Sequence, residues 1–297
     1  MNLIRIIKNT KFLKFLKNFF RFINFLHLKL LQNLPIKVNT NNKSSSQLAY
    51  YPEYALKAAL NPKIYKTFRR HPDYTFILEH VPQEIAQEYL KIINQKFSIN
   101  NYELKRIISP LQEIGMPKKY KLKGLDFKVS TTALRYLKVA LEIKEELNQK
   151  EPIDFVEIGC GYGGQAVILN KILEIKSYTF IDLWQVNMLI KRFLNDVFFE
   201  PPFSLLSLND LNEDYNNWDF LISNYSFSEL PRHIQEIYFK KVIKFSKYGY
   251  MIMNSGNEGE FGKIKNYTKN ECLQKINKSY VSNEIPLTAK NNYLIRW

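Results

Sequence analysis

The stretch VEIGCGYGGQA, Val156 to Ala166, sets four glycines between two apolar runs. Ahead of it, Ile153 to Ile158 (IDFVEI) has the length and composition of a buried central strand. Behind it, Gln165 to Ile175 (QAVILNKILEI) reads as a helix, so the glycines occupy a strand-to-helix turn. A second strand, Tyr178 to Ile181 (YTFI), ends at Asp182, 23 residues after Gly159. An acid at that place can accept the ribose hydroxyls of an adenosine-containing cofactor. Two spacings overlap in the turn. Gly159, Gly161 and Gly164 give G-x-G-x-x-G, the dinucleotide form, while Glu157 with Gly159, Gly161 and Gly163 gives E-x-G-x-G-x-G.

Glu157 separates the two. A carboxylate at the tip of the first strand repels a pyrophosphate and attracts the ammonium of a methionine. With this acid in place, the segment resembles motif I of class I S-adenosylmethionine methyltransferases, and the resemblance implies S-adenosylmethionine as the cofactor.

The rest of the chain alternates as a doubly wound α/β sheet should. A helix is expected from about Leu183 to Phe199, strands near Phe203–Leu206 and Asp219–Ser223, a helix over Pro231–Phe245 and a strand over Gly249–Asn254. A helix around Asn270–Lys278 and strands near Tyr280–Glu284 and Tyr293–Arg296 complete the set. Ligands of such sheets sit beyond the carboxyl ends of the strands. That rule nominates Glu157, Asp182, Asp210, Asn224 and Asn254 together.

Three units follow along the chain: a basic arm and linker over 1–46, a helical accessory or lid region over 47–129, and the methyltransferase-like sheet domain over 130–297. The middle unit is punctuated by Pro52, Pro62, Pro72, Pro82, Pro110 and Pro117, with acids after Pro82 that suit a first helical turn. Ser130-Thr131-Thr132 opens the helix ALRYLKVALEIKEEL with a hydroxyl cap, and Leu134, Leu137, Ala140 and Leu141 mark one apolar side.

Of the formal net charge of +15, residues 1–52 hold nine Lys or Arg and no Asp or Glu. Apolar pairs such as Phe12-Leu13 and Phe19-Phe20 lie between these cations, too often interrupted for a spanning helix or a secretory signal. Residues 1–34 therefore read as a peripheral contact with an anionic membrane, with packing on protein as the bland competitor and nucleic acid as a third choice. Asn39 to Ser46 (NTNNKSSS) is a linker. Two cysteines, Cys160 and Cys272, support neither a disulfide scaffold nor a zinc site, and place the chain in a reducing cytoplasm, on the inner face of a membrane if the arm binds one. No metal site is expected.

Several further stretches are similar to a narrower family: FRRHPDYTFILEHV at 68–81, STTALRYLK at 130–138, YTFIDLWQVNMLIKRFL at 178–194, FLISNYSFSEL at 220–230 and YGYMIMN at 248–254. Together with VEIGCGYGGQA they resemble the sugar O-methyltransferases of bacterial surface-polysaccharide gene clusters, over roughly residues 65–297. The resemblance implies methyl transfer to a sugar hydroxyl in capsule or lipooligosaccharide biosynthesis, on an acceptor that can be nucleotide-linked. The catalytic candidates are then His233 and Glu229, as base or sugar ligand. The cofactor-binding set is Glu157, Gly159, Gly161, Tyr162, Gly163, Asp182, Asp210 and Asn224. The substrate-binding set is Arg135, Tyr136, Tyr225 and Asn254, with Arg135 and Tyr136 placed to reach a carboxylate or a nucleotide-sugar phosphate. Two alternatives stay open. One is methylation of an amine or phosphoramidate on a glycan, since a fold does not distinguish oxygen from nitrogen. The other is a nucleic-acid methyltransferase, which is disfavoured because Asn224-Tyr225-Ser226-Phe227 lacks both prolines of N-P-P-Y. Oligomeric state is not legible.

Overall fold

The glycine turn is the centre around which a seven-stranded sheet is wound. The structure, a computed structural model, describes residues 50–147, 152–211, 217–254, 260–261 and 264–297. The basic arm and its linker lie outside the described residues. The sheet strands are β1 Ile153–Ile158, β2 Ile175–Ile181, β3 Phe203–Leu206, β4 Trp218–Asn224, β5 Ser246–Met253, β6 Tyr280–Asn283 and β7 Tyr293–Arg296. Across the sheet they run β3-β2-β1-β4-β5-β7-β6. The first five are mutually parallel, and β7 enters antiparallel to β5 with β6 antiparallel to β7. A dinucleotide sheet continues parallel past its fifth strand. Here a reversed hairpin partner takes that place, and the doubly wound α/β class expected from sequence is the class observed.

Alternation of side chains divides the sheet into two cores. Phe155, Tyr178, Phe180, Phe220, Ile222, Tyr250 and Ile252 face one way, into a core they share with the accessory helices. Val156, Ile158, Ile181, Leu221, Met251, Met253 and Ile295 face the other way and form the second core. The accessory region is built from α1 Tyr51–Leu60, α2 Gln83–Phe97 and α3 Asn101–Ile108, with one-turn helices opened by Pro62, Pro72 and Pro110. Its apolar residues are continuous with the sheet core.

Next is α4, Thr131–Leu147, capped by the Ser130 hydroxyl, which accepts from the Ala133 amide at 3.3 Å. The expected single apolar side is corrected here: every residue from Thr131 to Ile143 is buried. The helix packs against α2 and α3 as well as the sheet domain. Its polar positions are therefore paired inside: Lys138 meets Glu142 at 2.9 Å, and the Tyr250 hydroxyl donates to Glu142 at 2.6 Å.

The remaining helices are α5 Gly164–Leu169, α6 Trp184–Asp196, α7 Arg232–Lys241 and α8 Lys269–Lys275. The helix expected to run from Gln165 to Ile175 stops early, because Ile175 pairs with Ile153 in the sheet and the apolar residues near it are drawn into β2. Likewise the helix expected to Phe245 ends at Lys241 and yields to one 3-10 turn over Ile243–Phe245. Among the described residues no helix is long and apolar enough to cross a membrane.

Candidate active site

Gly159, Gly161 and Gly163 all have positive φ, at 73°, 59° and 85°, whereas Gly164 is already helical within α5. The turn therefore uses the E-x-G-x-G-x-G spacing. The fourth glycine, which completes G-x-G-x-x-G, is a helix residue on which Tyr136 and Tyr162 pack too closely for a Cβ, the nearest atom being Tyr136 Cε2 at 2.7 Å. Close approach also matters at Gly159 and Gly161. A Cβ on Gly159 would collide with the Ser226 side chain, and one on Gly161 would come within 3.1 Å of Leu78 Cδ1.

Asp182 holds the turn in shape. Its Oδ2 accepts from the Cys160 amide at 2.6 Å and the Gly161 amide at 3.3 Å, and its Oδ1 accepts from the Leu183 amide at 2.7 Å. Burial pushes this carboxyl up to about 6, against the pull of those three donors. A carboxylate offers about four lone-pair directions. Three are taken, so Asp182 has room for one further hydroxyl, not the two that sequence spacing suggests.

Glu157, the next-to-last residue of β1, is buried and its Oε2 accepts from the Tyr178 hydroxyl at 2.8 Å. Burial pushes it up to about 8, the Tyr178 hydrogen bond opposes the rise, and the Asp182 charge adds to it. At the end of β4, Asn224 donates through Nδ2 to Gln165 Oε1 at 3.3 Å, and Gln165 in turn donates to the Tyr136 carbonyl at 3.1 Å. Asn224 Oδ1 is buried and has no partner among the described residues. An orphaned buried acceptor is a place for an N–H donor.

This donor set fits S-adenosylmethionine: Glu157 and Asn224 Oδ1 for the ammonium, Asp182 for a ribose hydroxyl, and a glycine turn with no side chain over it. The chain also resembles solved structures in fold. A S-adenosylmethionine-dependent methyltransferase from Clostridium acetobutylicum matches with 12% identity over 55% of this chain and 90% of that one, at a TM-score of 0.41. One from Aquifex aeolicus matches with 15% identity over 53% and 87%, at 0.40. The N-terminal domain of EvdMO1, solved in the presence of SAH and D-fucose, matches with 10% identity over 67% and 95%, at 0.43. No protein-family model and no curated protein matches the chain. Likeness at this level assigns no chemistry.

Past β4 the chain turns sharply. Tyr225 has φ of 70°, rare for a residue with a side chain, and its amide donates to the Ile252 carbonyl at 2.8 Å. Its hydroxyl donates to Glu284, which also accepts from Thr288 and Asn292. Glu284 belongs to the segment between β6 and β7, and no motif in the sequence marks it. The following Ser228 hydroxyl donates to the Tyr225 carbonyl at 2.6 Å and accepts from the Asn254 amide at 2.9 Å. Asn254 Nδ2 then donates to Glu229 Oε1 at 2.8 Å, joining the carboxyl ends of β4 and β5.

The structure gathers Glu157, the glycines, Asp182, Asn224 and Tyr225 around the turn, with Tyr136 and Leu78 as cover; the Glu229–Asn254 pair adjoins them through Ser228. Arg135 lies over the Tyr225 ring at 5.4 Å from its centroid and joins the group from α4. Three expected residues stand elsewhere. Tyr162 is fully buried, edge-on to Phe68 and Phe193 with the Arg69 guanidinium 4.6 Å from its ring centre, so its ring fastens the turn to the accessory helices, and its hydroxyl is buried without a partner among the described residues. Asp210 is exposed and caps Ser207, accepting from its amide at 2.7 Å and its hydroxyl at 2.6 Å. His233 is exposed in the first turn of α7.

Sequence reasoning missed Tyr51, a buried residue within electrostatic reach of Asp182, and His80, whose pKa is lowered by burial and then by Arg135. Among the described residues no three of His, Cys, Asp and Glu cluster at metal-binding spacing.

Proposed function

We propose that this chain is an S-adenosylmethionine-dependent methyltransferase that methylates a hydroxyl of a sugar in surface-polysaccharide biosynthesis. The observation that carries the donor is the pairing of a buried Glu157 with the three alternate left-handed glycines of E-x-G-x-G-x-G, closed by Asp182. The sugar rests on the resemblance of the stretches at 130–138, 156–166 and 220–230 to sugar O-methyltransferases.

When bound, the cofactor supplies a methyl group on a sulfonium, already activated for in-line displacement. The chain's own contribution is holding and deprotonating. Asp182 takes one ribose hydroxyl while fixing the turn, and Glu157 with Asn224 Oδ1 receives the ammonium. As the acceptor oxygen bonds to the methyl carbon and the carbon–sulfur bond breaks, the hydroxyl proton must leave. Glu229 is the base better placed to take it, being held by Asn254 at the sheet's carboxyl edge while His233 stands exposed on α7.

Incubating the protein with a methyl-labelled donor and an extracted nucleotide-sugar and capsule pool tests the acceptor. Label in a sugar hydroxyl is the expected result; transfer only to RNA would refute the assignment.

A further inference from the structure

Arg135 is 4% exposed, yet its guanidinium makes no hydrogen bond or ion pair with any described residue, and its Nε is sealed from solvent without a partner. It rests between two aromatic faces, 5.4 Å from the Tyr225 centroid and 5.5 Å from the Tyr136 centroid. The neighbouring carboxylates are committed. Glu79 accepts from Arg69 Nε at 2.5 Å and from the Thr132 hydroxyl at 2.9 Å, and Glu284 is occupied by Tyr225, Thr288 and Asn292. Burying a cation without a counter-charge is costly, and chains normally pair or expose it. The other internal arginine of this region, Arg69, is paired in that way. Arg135 instead waits beside the candidate site.

Which molecule supplies the missing charge follows from charge balance and place. S-adenosylmethionine carries a sulfonium and an ammonium against one carboxylate, a net positive ion, and a guanidinium beside it is repelled overall. The glycine turn, where that ion is held, is covered by Tyr136 and Leu78. Arg135 lies beyond it, over Tyr225, whose hydroxyl is tied by Glu284 to the segment between β6 and β7. That is the far side of the turn from Asp182 and β2. A planar guanidinium stacked on aromatic rings presents its edge to a two-oxygen anion.

We propose that Arg135, seated on Tyr225 and Tyr136, is an anion subsite for the acceptor, so that the sugar accepted by this chain bears a phosphate or a carboxylate. The inference rests on the methyltransferase assignment, but its own observation is an unpaired buried cation. An anionic acceptor also neutralises the positive donor next to it, so the two bind together more tightly than either alone.

The test uses the full chain and Arg135→Gln, each titrated by calorimetry with S-adenosylhomocysteine and then, with that product bound, with uridine diphosphate, glucuronate and glucose. Wild type is expected to bind uridine diphosphate or glucuronate and to bind glucose at least tenfold more weakly. Which of the two anions binds distinguishes a phosphate from a carboxylate. Arg135→Gln is expected to lose at least tenfold for the anion and less than twofold for S-adenosylhomocysteine. A tenfold loss for S-adenosylhomocysteine with anion binding unchanged would overturn the proposal, because the guanidinium would then serve the methionine carboxylate. Equal binding of glucose and both anions, or binding of none of them, overturns it too. If wild type fails to bind S-adenosylhomocysteine, the methyltransferase assignment falls, and the anion titrations repeated without it still decide the role of Arg135. The variant's fold is checked by thermal unfolding, and because the change removes an unpaired buried charge, its midpoint is expected to be no lower than that of wild type. Arg135→Lys, which keeps the charge without the planar stack, is expected to recover part of the anion affinity.

Discussion

The two halves of the site are finished to different degrees. Around the glycine turn the two carboxyls are engaged by the chain itself: Asp182 takes three backbone amides and Glu157 is held by Tyr178, while the buried Tyr162 hydroxyl has no partner among the described residues. Across β4 the groups are left wanting: Asn224 Oδ1 and Arg135 Nε are buried without partners, and Tyr225 is strained. A half whose shape is set by its own hydrogen bonds can be rigid before anything binds, which suits the holding of a donor in one orientation. The orphaned groups across β4 are left for ligands: in the reading proposed above, the cofactor's ammonium meets Asn224 Oδ1 and an anionic acceptor meets Arg135, where selectivity would be built.

Breaking the contrast should produce losses in a definite order. The largest belongs to chemistry: Glu229→Gln is expected to lower kcat by about 10²–10⁴. S-adenosylhomocysteine affinity should stay within twofold, read by steady-state kinetics beside calorimetry. Gly159→Ala comes next. It places a side chain at φ of 73° against Ser226, and strain of about 1–3 kcal/mol is expected, seen as loss of stability in denaturant together with loss of cofactor affinity. Glu157→Gln should follow, with a loss of about 1.5–3 kcal/mol in S-adenosylhomocysteine binding if a charge-assisted contact to the ammonium is removed. The smallest effect is His233→Gln, for which kcat within twofold of wild type is expected; a hundredfold loss would restore the histidine as the base.

The same contrast has a pH signature. The carboxyls of Glu157 and Asp182 are raised to about 8 and about 6 in the folded chain, from ordinary values of 4.5 and 3.8. A raised carboxyl keeps its proton in the folded state after the unfolded chain has released it. Its contribution to stability is therefore full below the ordinary value and declines as pH climbs through the raised one. Ligand-free protein should lose stability between about pH 4 and 8, by up to about 1.4 kcal/mol per pH unit for each group where it is protonated only when folded. Glu157→Gln should flatten the upper part of that slope, as measured by chemical denaturation across the range.

Much of the donor half was legible in the sequence. Ile153–Ile158, Phe203–Leu206 and Tyr293–Arg296 form the strands that composition assigns them, and Glu157 and Asp182 flank the turn as spacing requires. What spacing could not supply was direction. Tyr162 sits among glycines that line the turn, but its ring is drawn into the core, edge-on to Phe68 and Phe193 and under the Arg69 guanidinium, partners that come from segments distant in sequence. Asp210 follows a strand as a ligand-binding acid would, yet the nearby Ser207 offers two donors and keeps it. The half across β4 was less legible still. Glu284 and His80 reach the site's neighbourhood from segments distant in sequence, and only tertiary packing brings them near Tyr225 and Arg135. Boundaries slipped where pairing outweighed propensity, as at Ile175, which the ladder with Ile153 takes from a helix-like run.

The most direct test of the account is a calorimetric titration of the ligand-free chain with S-adenosylhomocysteine at pH 7, run in two buffers of different ionisation enthalpy, with NAD as the comparison. S-adenosylhomocysteine should bind and release up to about one proton, since its ammonium displaces the proton that Glu157 carries at that pH, while NAD should give no heat. Binding of NAD with no response to S-adenosylhomocysteine would contradict the account at its centre.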